Sequence, residues 1–153
     1  MIYRILLFLV LNFLALAIGG IFTNKGVTSE WYTNLLKAPW TPPGWVFGFA
    51  WTFIMVFLAF YMAFLWTEVG EFKKILIGLF VLQWVLNVLW NPAFFYYHNM
   101  VLGMILISAL TVLVGFMLLY YWPELKFKSL LLLPYFIWLL IASSLNGYIL
   151  LKN

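Results

Sequence analysis

Eight Lys or Arg and four Asp or Glu punctuate a chain of 153 residues whose remaining positions are mostly apolar. They divide it into apolar runs at about Ile5 to Phe22, Trp45 to Trp66, Ile75 to Tyr97, Met100 to Trp122 and Ser129 to Leu151. Each run approaches or exceeds the roughly 20 residues that an α-helix needs to cross the hydrocarbon core of a bilayer. The pattern predicts an all-α integral membrane protein, a bundle of five transmembrane helices in one domain covering residues 1–153. Only one connection, 23–44, is long.

Composition agrees with this reading, since the chain is 67% hydrophobic and 8% charged with a mean hydropathy of +1.10, too apolar for a soluble domain. The first run, Arg4 followed by ILLFLVLNFLALA, has an alternative reading as a secretory signal with Ala15 and Ala17 at an A-x-A-like cleavage site. Its apolar stretch continues through Ile18, Ile21 and Phe22, beyond the ~7–15 residues of a typical signal core. Lys and Arg in short loops set orientation. Arg4, Lys73, Lys74, Lys126 and Lys128 fall on one side, and Lys25, Lys37 and Lys152 on the other. This bias favours a cytoplasmic N-terminus. A chain of helices without barrel-like alternation fits a bacterial inner membrane.

The predicted spans hold no Asp, Glu, Lys or Arg, so they offer no base, metal ligand or proton relay. That argues against hydrolysis, metal catalysis and proton-driven transport. The absence of cysteine excludes thiolate chemistry and iron–sulfur ligation. The single histidine, His98, sits in a predicted turn where a surface role outweighs haem ligation. No basic run reads as a nucleic-acid patch.

The long connection ends in KAPWTPPGW, Lys37 to Trp45. Its three prolines prevent a continuous helix. Trp31, Tyr32, Trp40 and Trp45 give it rings suited to the membrane interface. Two readings fit, an interfacial anchor or a rigid aromatic lid over a cavity. On the third helix Gln83, Asn87, Trp90 and Asn91 share one face at i, i+4, i+7 and i+8. Amides there either bond a neighbouring helix or line a cavity. Pro92 then disfavours helical geometry at Asn91, which predicts a kink or a change of direction. On the fifth helix Tyr135, Trp138, Ala142 and Asn146 share a face. Ala142 leaves space beside the Trp138 indole for either close packing or a flat ligand. Phe47, Trp51, Ile54 and Leu58 form a stripe on the second helix, and Ser108, Thr111 and Gly115 a contact face on the fourth. Ala15-x-x-x-Gly19 and Ala59-x-x-x-Ala63 offer close-approach surfaces for a homodimer. Leu145, Tyr148 and Lys152 fit a loose pattern proposed for cholesterol contact.

Taken in order, WYTNLLKAPWTPPGWVFGFAW, LNVLWNPAFF and LLPYFIWLLIASSLN resemble the signatures of the TspO/MBR family, the tryptophan-rich sensory or translocator proteins, over nearly the whole chain. The resemblance implies a five-helix membrane protein, often dimeric, that needs no resident cofactor or metal. It implies binding of porphyrins such as protoporphyrin IX and of isoquinoline carboxamide or benzodiazepine-type drugs. Carried over by position, the ligand pocket is lined by Tyr32, Trp40, Pro42, Trp51, Asn87, Trp90, Trp138 and Ala142, with KAPWTPPGW as part of the lid. A light-dependent breakdown of protoporphyrin IX, reported for bacterial members, would rest on Trp51 and Trp138. A sterol- or lipid-binding regulatory role is a further alternative. Two positions depart from the family pattern: Lys37-Ala38-Pro39-Trp40 stands where Lys-Pro-x-Trp is commoner, and Asn91-Pro92 where many members have Ser and no proline.

Overall fold

The computed structural model describes residues 1–70 and 73–153, which are 87% helical and contain no strand. The helices are α1 (Ile2–Gly26), α2 (Glu30–Asn34), α3 (Gly44–Glu68), α4 (Lys73–Asn91), α5 (Met100–Tyr120), α6 (Trp122–Leu125) and α7 (Leu133–Lys152). A π-helical turn, Pro92–Tyr96, extends α4, and a 3-10 segment, Lys126–Leu132, joins α6 to α7. Among the described residues, five stretches are long and apolar enough to cross a membrane: α1, α3, α4 with its π turn, α5, and α6 through α7.

The last span differs from a single continuous helix. Lys126 adopts a left-handed backbone conformation with φ of 52°, which ends α6 and starts the 3-10 segment. Pro134 occupies the first turn of α7, where a missing N–H costs nothing. The expected kink at Pro92 takes the form of a widened turn. Proline offers no N–H to its own turn, and Tyr97 N–H donates to Pro92 C=O at 2.9 Å in the five-residue π register. Within the long connection, α2 is capped by Ser29, whose hydroxyl accepts the Tyr32 N–H at 3.2 Å.

The spans close into a ring. α1 packs on α3 and α4, α4 on α5, and α5 on α7, while α3 meets the last span chiefly through the 3-10 segment. In lipid, apolar side chains gain little by leaving one hydrocarbon environment for another, so cross-helix hydrogen bonds and close approach must position the helices. Asn12 of α1 donates to Met55 C=O of α3 at 2.9 Å, and Trp84 of α4 to Leu11 C=O of α1 at 2.8 Å. Tyr61 of α3 donates to Met117 C=O of α5 at 3.0 Å, and Thr111 of α5 lies 3.1 Å from the Ser143 hydroxyl of α7. Tyr61, Leu58, Met62, Leu65, Leu110 and Met117 form the fully buried centre around these bonds.

Close approach supplies the rest. A Cβ added at Gly19 would lie 2.6 Å from Asn91 Nδ2, and one at Gly26 would overlap the Phe95 ring, so α1 lies directly against the π turn. The small-residue faces expected to serve dimerisation are already used. Ala15, Gly19, Ala59 and Ala63 are all buried within one copy, because the helices of a single chain need the same small residues to approach. We expect Gly26→Val to destabilise the protein by about 1–3 kcal/mol through overpacking. Gly20→Val, where nothing lies within 4 Å, should leave stability unchanged or raised. Denaturant unfolding in detergent micelles would compare them, and equal losses would contradict the packing of α1 on the π turn.

Candidate functional site

The amide stripe of α4 meets α7 and the loop at one end of the bundle. Gln83 is buried and its Oε1 accepts the Tyr135 hydroxyl at 3.0 Å, so this amide joins α4 to α7. Asn87 is buried one turn further along. Its backbone carbonyl accepts Asn91 Nδ2 at 2.9 Å, while Asn91 Oδ1 accepts the Thr23 hydroxyl of α1 at 2.6 Å. Asn91 is therefore committed to fixing α1 against the start of the π turn. Trp90 directs Nε1 to Asn146 Oδ1 at 3.4 Å, and Asn146 Nδ2 donates to Ala142 C=O at 3.1 Å.

Aromatic rings fill the space around these amides. Trp90 stacks on Phe94, with centroids 5.7 Å apart and planes 10° apart, and meets Phe95 edge to face at 5.7 Å. Tyr32 of α2 seats on the same pair, 6.4 Å from Phe94 and 5.5 Å from Phe95. Burial pushes the Tyr32 phenol above its ordinary range, and the Lys37 ammonium lies 4.6 Å from its ring centroid. On the other side of Trp90 the main core begins. Trp51 contacts buried Tyr135 edge to face at 6.0 Å, and Trp138 contacts Phe47 in the same way at 5.3 Å. Trp90 packs on both clusters and joins the loop-side rings to the core. The Trp138 indole N–H is buried without a hydrogen-bond partner.

The connection folds back over this end. Trp40 donates from Nε1 to the Ser144 hydroxyl at 3.2 Å and meets Tyr148 edge to face at 5.5 Å. Leu36 N–H donates to Asn153 Oδ1 at 2.9 Å, and Asn153 Nδ2 donates to Leu36 C=O at 3.3 Å. A single amide side chain thus engages both backbone groups of one loop residue. Trp31 stacks on His98 with centroids 4.2 Å apart and planes 15° apart, tying α2 to the turn before α5.

Among the residues singled out in the sequence, Tyr32, Trp51, Asn87, Trp90, Trp138 and Ala142 are wholly or partly buried. Trp40 is exposed on its outer side and Pro42 is half-buried in the connection. Of the sterol-pattern residues, Leu145 is buried, Tyr148 is covered by Trp40, and Lys152 is exposed above the Tyr148 ring. Phe47, already part of the sequence stripe with Trp51, meets Trp138, whereas sequence reasoning missed Phe94, Phe95, Ser144 and Asn153. For Phe94 and Phe95 the signal was Pro92, which rotates the following residues onto the α4 face. Ser144 and Asn153 become neighbours of the site only through the way the last span lies against the loop.

A family model described as the TspO/MBR family matches residues 7–151. The chain belongs to the TspO/MBR family. It is 35% identical over 144 residues to the tryptophan-rich protein TspO of Archaeoglobus fulgidus, covering 94% of each chain. It is 32% identical to the translocator protein of Bos taurus, covering 84% of this chain and 78% of that protein. It is also 30% identical to protein CrtK of Rhodobacter capsulatus, covering 85% and 80% respectively. With its five spans, this TspO/MBR chain is an integral, multi-pass membrane protein.

Asn153→Ala should release the loop of this TspO/MBR protein at Leu36. A lost hydrogen bond of ~0.5–1.5 kcal/mol corresponds to about two- to tenfold faster amide exchange at Leu36. Site-resolved hydrogen exchange in nanodiscs measures this, with the Tyr61 region as the unchanged reference. Unaltered exchange at Leu36 would contradict the latch.

Proposed function

We propose that this protein binds a planar tetrapyrrole such as protoporphyrin IX at the loop end of the bundle, between α3, α4 and α7. The carrying observation is that Trp51, Trp90, Trp138 and Ala142 belong to one packed core beside the buried Asn87 of α4, with Tyr32 seated on Phe94 and Trp40 bonded to Ser144 at the loop. Such a wall offers stacking faces with a few fixed donors and acceptors, which suits a flat apolar ligand. Isoquinoline carboxamide and benzodiazepine-type compounds share that flatness and belong to the same ligand class. The rings pack on one another, Trp51 on Tyr135, Trp90 on Phe94 and Trp138 on Phe47, so binding requires them to move apart. No resident cofactor or metal is required.

Further parts of the reading concern the setting. The cations at the Lys73 and Lys128 end outnumber those at the loop end, which supports a cytoplasmic N-terminus in a bacterial inner membrane. A homodimer would use a surface other than the Ala15, Gly19, Ala59 and Ala63 faces, which are occupied within one copy.

A second role, light-dependent breakdown of protoporphyrin IX, is favoured by the contact of Trp51 with buried Tyr135. These are neighbouring oxidisable rings beside the proposed site. Trp51 and Trp138 are the residues assigned to it. Transport or sensing without chemistry needs the binding site alone.

In the dark, protoporphyrin IX should quench tryptophan emission of the purified protein saturably, and a response as linear as that of empty micelles would sink the binding reading. The double variant Trp51→Phe, Trp138→Phe keeps aromatic walls and should bind at most about tenfold more weakly, a cost of ~1.4 kcal/mol. Under illumination at full occupancy, loss of porphyrin should fall far more than binding does. Degradation at the wild-type rate would remove both tryptophans from any chemistry.

A further inference from the structure

The seam between α3 and α7 is open on the side facing lipid. A groove of about 470 Å³ runs along it, lined by Ala50, Phe53 and Ile54 of α3 and by Pro134, Ile137 and Trp138 of α7 among others. All lining residues are apolar or aromatic, and the groove lies within two membrane spans, so its surroundings are hydrocarbon. α3 meets the last span chiefly through the 3-10 segment and less through α7, and the groove runs from Leu130 of that segment along α7 to Ile141.

Trp138 belongs both to this groove and to the site proposed above. Its tethering differs from that of three other tryptophans. Trp40, Trp84 and Trp90 each donate their N–H, to Ser144, Leu11 C=O and Asn146 respectively. The Trp138 N–H is buried with no partner, and its ring rests edge to face on Phe47. Turning this ring breaks no hydrogen bond, and an acceptor on an arriving molecule would remove the cost of leaving a buried N–H unpaired. The opposite approach, from the water side, is fastened by Trp40 on Ser144 and by Asn153 on Leu36.

We propose that the planar tetrapyrrole reaches the site sideways from the lipid, through the α3–α7 groove, with Trp138 as the movable wall between groove and site. This rests on the binding reading given above. A passage and a seat differ kinetically. Narrowing a passage slows entry and exit together and leaves affinity unchanged, whereas filling a seat weakens binding by speeding dissociation.

The test uses the full chain in phospholipid nanodiscs, with protoporphyrin IX in the dark and stopped-flow detection of its absorbance shift. Ala50→Trp and Ile137→Trp fill the groove from either wall. Ile137 is 48% exposed, so its replacement tests the passage even if the Ala50 variant fails to fold. Val112→Trp, on the outward face of α5 at 73% exposure, is the control. We expect both groove variants to slow association and dissociation at least about tenfold, with Kd within about twofold of wild type and the control unchanged. Wild-type rates in a folded groove variant would overturn the passage. Faster dissociation with weaker affinity would also overturn it, by making the groove the seat. Absence of saturable binding in wild type and control alike would overturn the binding reading itself, and the passage with it.

Discussion

Hydrogen-bonding groups inside a bilayer have no water to turn to, and this constraint organises the molecule. Several of the polar side chains that the sequence places within spans hold two helices together. Asn12, Tyr61 and Trp84 bond backbone carbonyls of other helices, whereas Gln83 and Tyr135 bond each other. Individually such bonds contribute about 0.6 kcal/mol on average, up to ~1–2 kcal/mol. Their value is positional, since each fixes the rotation and depth of a helix that would otherwise slide in a uniform apolar medium. The site inherits its geometry from them. Trp51 stands against Tyr135 because Tyr135 is held by Gln83, and Trp90 faces inward because Asn146 accepts its N–H.

The π turn at Pro92–Tyr96 is the second organising element. It presents Phe94 and Phe95 to Tyr32 and Trp90, and it lies against Gly19 and Gly26 of α1 through Asn91 and Phe95. One irregular turn therefore joins three spans and the loop. The departure at Asn91-Pro92 from the commoner family sequence falls at this junction. Asn91 joins Thr23 to Asn87 there, a bridge that needs both a donor and an acceptor on one side chain.

The number of spans was legible because charge is confined to their ends, and the stripes on α4 and α7 because amides and tryptophans recur at helical spacing. Other features were hidden by the same uniform hydrophobicity. In the apolar run from Ser129, hydrophobicity does not separate the 3-10 start from the α-helix from Leu133, since both are equally greasy, and Pro134 is the residue that marks the helix start. The α3–α7 groove depends on how far two helices stand apart, which residue type does not encode. The small-residue pairs on α1 and α3 were legible as contact surfaces, but a single sequence does not distinguish a partner within the chain from one outside it. The loop helix had a readable sign in Ser29 before Glu30, a preferred cap followed by an acid in the first turn.

The two hydrogen bonds between Asn153 and Leu36 join residues 117 positions apart. During synthesis, the connection after α1 is made long before the final turn of α7 exists, and a contact between such distant segments must wait for both. The order of assembly is thereby fixed at this point. The bundle matures with its loop end unfastened until the last span is inserted and Asn153 reaches Leu36.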